Sequence, residues 1–363
     1  MNCYLFIDFG STYTKVTLVD KDKEEIVATA KSYTTVQTDV MIGYQKALEE
    51  LFSKVEGEVN IVKKLACSSA AGGLKMIAIG LVPELTAEAA KRAALGAGAR
   101  VINSYSHFLN KGEVLEIKNS IADMILLAGG TDGGNTECIL HNARMLAEYG
   151  ISVPIVVAGN KSCNDEIAEI FDGRVEYYIT ENVMPTLNNI NVEPARETIR
   201  SIFMRKIVHA RGMKNIEKEI SGILMPTPAA VLKAAETLAL GTKSEDGIGD
   251  LAVVDIGGAT TDGHSIGEGA PSKPGVFLRG LEEPLAKRTV EGDLGMRYSS
   301  ISVYEAAGKR MMKKYLNIEE YDLEAEFRKR YENTSFVAED EKDIVFDEAM
   351  AKVCADISMK RHA

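Results

Sequence analysis

Two stretches of the chain follow the same plan, and they constrain its fold more than any other feature. The first reads Ile7-Asp8-Phe9-Gly10-Ser11-Thr12-Tyr13-Thr14-Lys15, the second Val253-Val254-Asp255-Ile256-Gly257-Gly258-Ala259-Thr260-Thr261-Asp262. Each is an apolar strand with a carboxylate near its end, a glycine two residues on, small hydroxyl residues and a return strand. Ordinary glycine-bearing hairpins share that outline. Glycine also lets a backbone approach phosphate oxygens, which successive N–H groups and Ser or Thr hydroxyls then bond. An aspartate at a strand end can hold the water shell of Mg²⁺, an ion that keeps several waters and bridges to phosphates. Together the pair suggests two facing halves around one ligand, with Asp8 and Asp255 organising metal-bound water.

Composition narrows the ligand. With 45% hydrophobic residues in 363, the chain can build two or three sizeable cores. Its net charge of −11 argues against general binding to a nucleic-acid backbone, which needs a basic face. A small phosphate compound is not excluded, because backbone amides hold one without side-chain charge. The five cysteines are scattered and form no CxxC, so zinc and cluster sites are not expected and a reduced cytoplasmic setting is. No basic leader precedes an apolar stretch and no run approaches ~18 apolar residues, so neither export nor membrane insertion is expected.

Three strands (residues 3–9, 13–19 and 25–30) precede the first helix (39–55), unlike a doubly wound dinucleotide fold, which begins strand–helix–strand. Residues 1–120 read as a first lobe carrying the first loop. Residues 121–180 read as an inserted strand–helix–strand–helix segment, with Gly129-Gly130-Thr131-Asp132-Gly133-Gly134-Asn135 after its first strand and Gly159-Asn160 after its second. Residues 181–245 read as a helical connection and 246–363 as a second lobe, mostly helical and charged towards its end. The loop at 129–135 is either a small-molecule contact or a turn permitting close helix–strand packing. The basic helix from Arg196 to Arg211, with Arg200, Arg205, Lys206 and His209, reads as a solvated face or as an anion or partner contact, and His264 as a strand-surface residue. Lys15 either reaches a terminal phosphate as a point charge or is a solvated strand lysine. Thr260 and Thr261 alternate faces, so one hydroxyl points inward.

Asp8 to Tyr13 resembles the first phosphate loop of the actin, sugar-kinase and heat-shock ATPase superfamily, and Asp255 to Thr260 its second. Pro226-Thr227-Pro228-Ala229-Ala230 resembles the connecting helix before that second loop. Asp8 to Lys15, Leu127 to Asn135 and Arg288-Thr289-Val290-Glu291-Gly292-Asp293-Leu294-Gly295-Met296-Arg297 are together similar to the MutL/GlmL family. The resemblance implies an α/β, actin-like ATPase fold of two lobes with duplicated hairpin phosphate loops. It implies ATP with Mg²⁺ as cofactors, held by Asp8 and Asp255 through water and by Gly10, Ser11, Thr12, Lys15, Gly257, Gly258, Ala259 and Thr261. Thr260 stands where heat-shock ATPases place their phosphate-contacting threonine.

The same resemblance implies a reactivating factor or chaperone for an adenosylcobalamin-dependent carbon-skeleton mutase such as glutamate mutase, exchanging damaged cobalamin in an ATP-linked manner. Two departures bear on activity. Met225 stands where heat-shock ATPases carry a glutamate that positions the attacking water. No Gly-Gly adenosine loop follows Gly295, although Gly159-Asn160-Lys161-Ser162 resembles a degenerate one, and the chain reads as truncated at its C-terminus. The alternatives are a small-molecule kinase, with Asp262 or Asp132 activating the acceptor, and a nucleotide-independent scaffold.

Overall fold

Alternation carries the start of the chain into β1 (Asn2–Phe9), β2 (Tyr13–Asp20) and β3 (Glu25–Tyr33). They are followed by α1 (Val40–Ser53) and β4 (Asn60–Ser68). The computed structural model describes residues 1–10, 13–35, 39–69, 74–208, 220, 224–269 and 281–363. They fall into two units, Met1–Val231 with Ala270–Glu283, and Leu232–Gly269 with Pro284–Ala363.

In the first unit the chain continues through β5 (Leu74–Gly80), α2 (Glu88–Gly96), β6 (Ala99–Ser106), α3 (Lys111–Asn119), β7 (Met124–Leu127), α4 (Glu137–Glu148), β8 (Ile155–Val157), α5 (Asn164–Phe171), β9 (Tyr177–Ile179), α6 (Glu193–Val208) and β10 (Leu224–Pro226). Its first sheet has the order β10-β4-β1-β2-β3. An antiparallel meander lies on one side of β1 and the parallel strands β4 and β10 on the other. Cys3, Leu5, Ile7 and Phe9 alternate into the core with Val16 and Leu18. Val40, Tyr44, Ala47 and Leu51 of α1 recur at helical spacing and join the same core. The helix starts where Asp39 accepts the Met41 amide at 2.9 Å. Removing one such side chain, as in Leu51→Ala, would cost about 2–5 kcal/mol.

The second sheet, β6-β5-β7-β8-β9, is parallel throughout. Met76, Met124, Leu126 and Val156 face the first core, whereas Ile77, Ile125, Leu127 and Ile155 face a second core with Ile139 of α4 and Phe171 of α5. Burial on both faces explains why these strands read as unbroken apolar runs. The expected boundary at 120/121 therefore falls inside one sheet, because β7 pairs directly with β5. Sequence grouped β7 and β8 with their own helices and overlooked the partner strands that precede them.

In the second unit, α7 (Thr227–Leu240), which starts in the first, leads to β11 (Leu251–Ile256), β12 (Thr261–Ile266) and β13 (Ala286–Glu291), an antiparallel sheet. Leu232, Ala235 and Ala239 of α7 pack on Ile266, with Leu251, Val253 and Ala286 alongside. Three helices follow, α8 (Ser300–Met312), α9 (Leu323–Glu332) and α10 (Glu341–His362), around Val303, Phe327, Phe346 and Met350. The charged stretch 319–343 is not all surface. Arg330 is fully buried and bonded by Glu326, Asp343 and Asp347. No helix among the described residues is long and apolar enough to cross a membrane.

Candidate functional site

Both hairpins close the same way. The Gly10 amide donates to the Tyr13 carbonyl at 3.0 Å and the Gly257 amide to the Thr260 carbonyl at 2.8 Å. Register matches too, with Asp8 opposite Lys15 and Phe9 opposite Thr14, as Asp255 is opposite Asp262 and Ile256 opposite Thr261. A Cβ on Gly10 would lie 2.6 Å from the Tyr13 oxygen, and one on Gly257 3.1 Å from that of Thr260. The glycines are thus dictated by the backbone's close approach to itself. Ser11 and Thr12 lie outside the described residues.

Three elements converge on Asp8. Thr227 Oγ1, at the start of α7, donates to its Oδ1 at 2.8 Å, and Cys67 Sγ of β4 lies 3.4 Å from the same oxygen. Lys15 Nζ is 3.6 Å from Oδ2, with side chains 62% and 24% exposed, so the pair is partly solvated and worth well under about 1 kcal/mol. Burial, then the Asp8 charge, pushes the Cys67 thiol up to about 12, so it stays protonated and serves as a donor, not a nucleophile. Met225 of β10 lies opposite Cys67 and brings no carboxylate to this position.

The second loop is held from one side. The Gly257 and Gly258 carbonyls accept the amides of Met296 and Arg297 at 3.0 and 2.8 Å, and the Ala259 carbonyl accepts Ser299 Oγ at 2.6 Å. The amides of Gly258, Ala259 and Thr260 have no acceptor among the described residues. Three successive unbonded N–H groups can bond the oxygens of an anion. Gly295 permits the supporting segment to come this close, since a Cβ there would lie 2.4 Å from the Ala259 carbonyl carbon. Gly295 and Ser299 were missed as site residues. The only signal for Gly295 was the glycine-bearing run Arg288–Arg297, and Ser299, two residues beyond it, had none.

Several expected residues do other work. Thr261 is buried, and its hydroxyl donates to the Leu294 carbonyl at 2.7 Å, so it braces the hairpin. Thr260 Oγ1 lies 3.4 Å from Asp262 Oδ2. Asp262 is buried and accepts Arg288 Nε and Nη2 at 3.0 and 2.6 Å. His264 is not a surface residue either. It lies fully buried between Val253 and Arg288 on the central strand, and neither ring nitrogen has a partner among the described residues. Burial, then the Arg288 charge, holds its pKa down at about 4.

The basic helix α6 is anchored through Arg196 and Arg200, whereas Arg205 is exposed. Arg196 is buried against Glu193, Arg200 donates to the Gly96 carbonyl at 3.1 Å, and Arg205 lies 4.8 Å from the Tyr178 ring centre. His209 to Arg211 fall outside the described residues. Asp132 accepts the Lys161 amide at 3.1 Å and Asn182 Nδ2 at 2.9 Å. Neither Asp132 nor Asp262 is therefore placed as a free base for a kinase acceptor.

A meander flanked by parallel strands, with two Asp-x-Gly hairpins of one register, is the architecture of an actin-like ATPase fold. Within that class the chain belongs to the MutL protein family, whose model matches residues 4–363, as the resemblance of its three motifs implied. A relative, Protein MutL of Clostridium tetanomorphum, is 68% identical over 364 residues, spanning 100% of this chain and 79% of that protein. Among solved structures, the activator of the 2-hydroxyisocaproyl-CoA dehydratase from Clostridium difficile, with bound ADPNP, covers 61% of this chain and 99% of its own at 14% identity. The TM-score of that match is 0.16.

Proposed function

We propose that this chain is an ATP-dependent reactivating factor, or chaperone, for an adenosylcobalamin-dependent carbon-skeleton mutase of the glutamate mutase kind. It acts in the cytoplasm as a slow ATPase whose turnover is coupled to that partner. The observation that carries the nucleotide part is the second loop, where three carbonyls are tied back and three neighbouring amides are left to an anion. The mutase part rests on family membership.

In this reading Gly10, Ser11, Thr12, Gly257, Gly258, Ala259 and Thr260 bond the β- and γ-phosphates, Lys15 adds a point charge, and Thr261 holds the second hairpin in shape. Asp8 and Asp255 take the water shell of Mg²⁺. No group of three His, Cys, Asp or Glu that could hold a metal exists among the described residues, which fits a hydrated ion bridged to phosphates better than a protein cage. When bound, the ion would neutralise phosphate charge. Met225, with no carboxylate to position water, fits slow turnover unless the partner contributes. The engagement of Asp132 and Asp262 counts against a kinase.

The test is Mg·ATP titration of the chain and of Asp8→Asn and Asp255→Asn variants, followed by turnover with and without a mutase. Native binding weakened about tenfold in each variant, a loss of about 1.4 kcal/mol, and turnover raised by the mutase are expected. Equal weak binding in all three proteins would remove the nucleotide reading. Turnover raised by a sugar or acid acceptor, and indifferent to a mutase, would remove the reactivating role.

A further inference from the structure

The two sheets of the first unit are covered differently. Apolar residues lie buried on both faces of the second, whereas α1 packs on one face of the first, over Cys3, Leu5 and Ile7. The opposite face of the first sheet presents Tyr4, Phe6, Val19, Ile26 and Leu65. Register sets them side by side, with Tyr4 opposite Val19, Val19 opposite Ile26 and Phe6 opposite Leu65. Phe6 is 41% exposed although β1 is the middle strand of its sheet, and Ile26 is 68% exposed. Single exposed apolar side chains need no explanation, but a row of them across four neighbouring strands marks an interaction surface.

The shape of the face selects what can lie on it. β1 and β2 are interior strands whose backbone groups pair on both sides, so an added strand finds no edge there. Contact must come through side chains. The span from β4 to β3 is three strand spacings, about 14 Å, and the eight residues of β1 run for about 24 Å. One α-helix, about 10–12 Å across and about 16 residues long, fills that area. α1 is the same solution on the other face.

Charge says what kind of helix. The chain carries −11 overall, yet the borders of this face are positive. Lys63 of β4 lies opposite Tyr4, and Lys31 of β3 lies opposite Lys15. Lys31 and Lys63 are exposed, and neither has a carboxylate partner among the described residues. Lys31 Nζ lies 5.3 Å from the Tyr13 ring centre. Asp8, the one acid that register places on this face, is already met by Thr227 and Lys15. Two positive charges therefore flank the apolar row, one on each side. We propose that this face docks a single amphipathic helix of a partner protein, with apolar residues turned to Phe6 and Val19 and acidic residues along both flanks, against Lys63 and Lys31.

Fluorescence anisotropy of a labelled, helix-forming peptide of about 16 residues, titrated with the full chain at physiological salt, tests this. The peptide carries leucines at i, i+3, i+4 and i+7 and glutamates on both flanks; its control has lysine for every glutamate. Saturable binding of the acidic peptide, at least about tenfold tighter than that of the control, is expected. Phe6→Gln should weaken it about tenfold, and Lys31→Glu and Lys63→Glu about threefold each, with unchanged melting temperature. No saturable binding, equal binding of both peptides, or full affinity in Phe6→Gln would overturn the proposal. So would a dimer of this chain, seen by light scattering, that Phe6→Gln dissolves, since a second copy is then the occupant. Protein MutL of Clostridium tetanomorphum, of which this chain spans 79%, supplies the last arm. Binding to this chain but not to that longer protein would mean that the family covers the face with its own chain, which also overturns the proposal. Binding that persists in Asp8→Asn separates this surface from the fate of the nucleotide reading.

Discussion

The first and second hairpins share a backbone and solve their charges differently. Both close with a glycine amide on the carbonyl three residues ahead, and both place an aspartate one step before the last strand pair. In the first, the residue opposite Asp8 is Lys15, a half-solvated cation. In the second, the residue opposite Asp255 is another acid, Asp262, whose charge is met from the neighbouring strand by Arg288. Loop geometry is therefore fixed by glycine and register, while electrostatics is settled locally by whichever strand stands alongside. A surface pair is cheap to lose, whereas a buried pair exposes its unit to large losses when one member goes.

The largest effect follows directly. Asp262→Asn strips the Arg288 guanidinium, on a side chain only 3% exposed, of its two bonds to a carboxylate. We expect a loss of about 3–5 kcal/mol in the second unit, read as a lower urea midpoint. Lys15→Met should shift the midpoint by less than about 1 kcal/mol. Comparable losses from the two variants would erase the distinction between the hairpins.

Acid should separate the hairpins next. β1 and β2 contain no histidine, whereas β12 holds His264, with a pKa of about 4 in the fold against 6.5 for the free group. A depressed folded pKa means that the unfolded chain binds the extra proton first. The contribution is thus complete above pH 6.5, falls as pH drops from 6.5 towards 4, and amounts to at most about 3 kcal/mol. Urea midpoints of the native chain and His264→Leu between pH 7 and 4 would show it, with the variant losing less. Parallel pH profiles would mean that the ring is not held neutral by its surroundings.

How much of this was readable in advance follows from the range of each interaction. The meander, α1, both loops and the family were legible because alternation, helical spacing and Asp-x-Gly are local patterns. The role of β12 was not. Thr261-Asp262-Gly263-His264-Ser265 is polar throughout and reads as surface, yet it is the central strand of its sheet. Its covering partner, Arg288, is 26 residues away from Asp262, on a strand whose charged sequence gives no hint of burial. Similarly, β5 was not seen as a partner of β7, because parallel pairing across an intervening strand and two helices leaves no mark in either segment. Thr227 sits in a short Pro-Thr-Pro motif that carries no sign of its bond to Asp8, which spans 219 residues.

The smallest predicted difference tests the shared part of the two hairpins. A methyl on Gly10 would meet the Tyr13 oxygen at 2.6 Å, a distance at which backbone must move. On Gly257 it would meet the Thr260 oxygen at 3.1 Å, where a few tenths of an ångström suffice. The carbonyl struck is in each case the one that closes the turn, so relief of the clash stretches the closing bond. Gly10→Ala should therefore cost about 1–3 kcal/mol and Gly257→Ala less than about 1 kcal/mol, read from melting curves. The second loop has the further constraint that its carbonyls are pinned to residues 296–299, which leaves the loop less room to yield than the distance alone suggests. If Gly257→Ala proves the costlier of the two, that pinning outweighs the local clash, and the supporting segment rather than the turn sets the shape of the second loop.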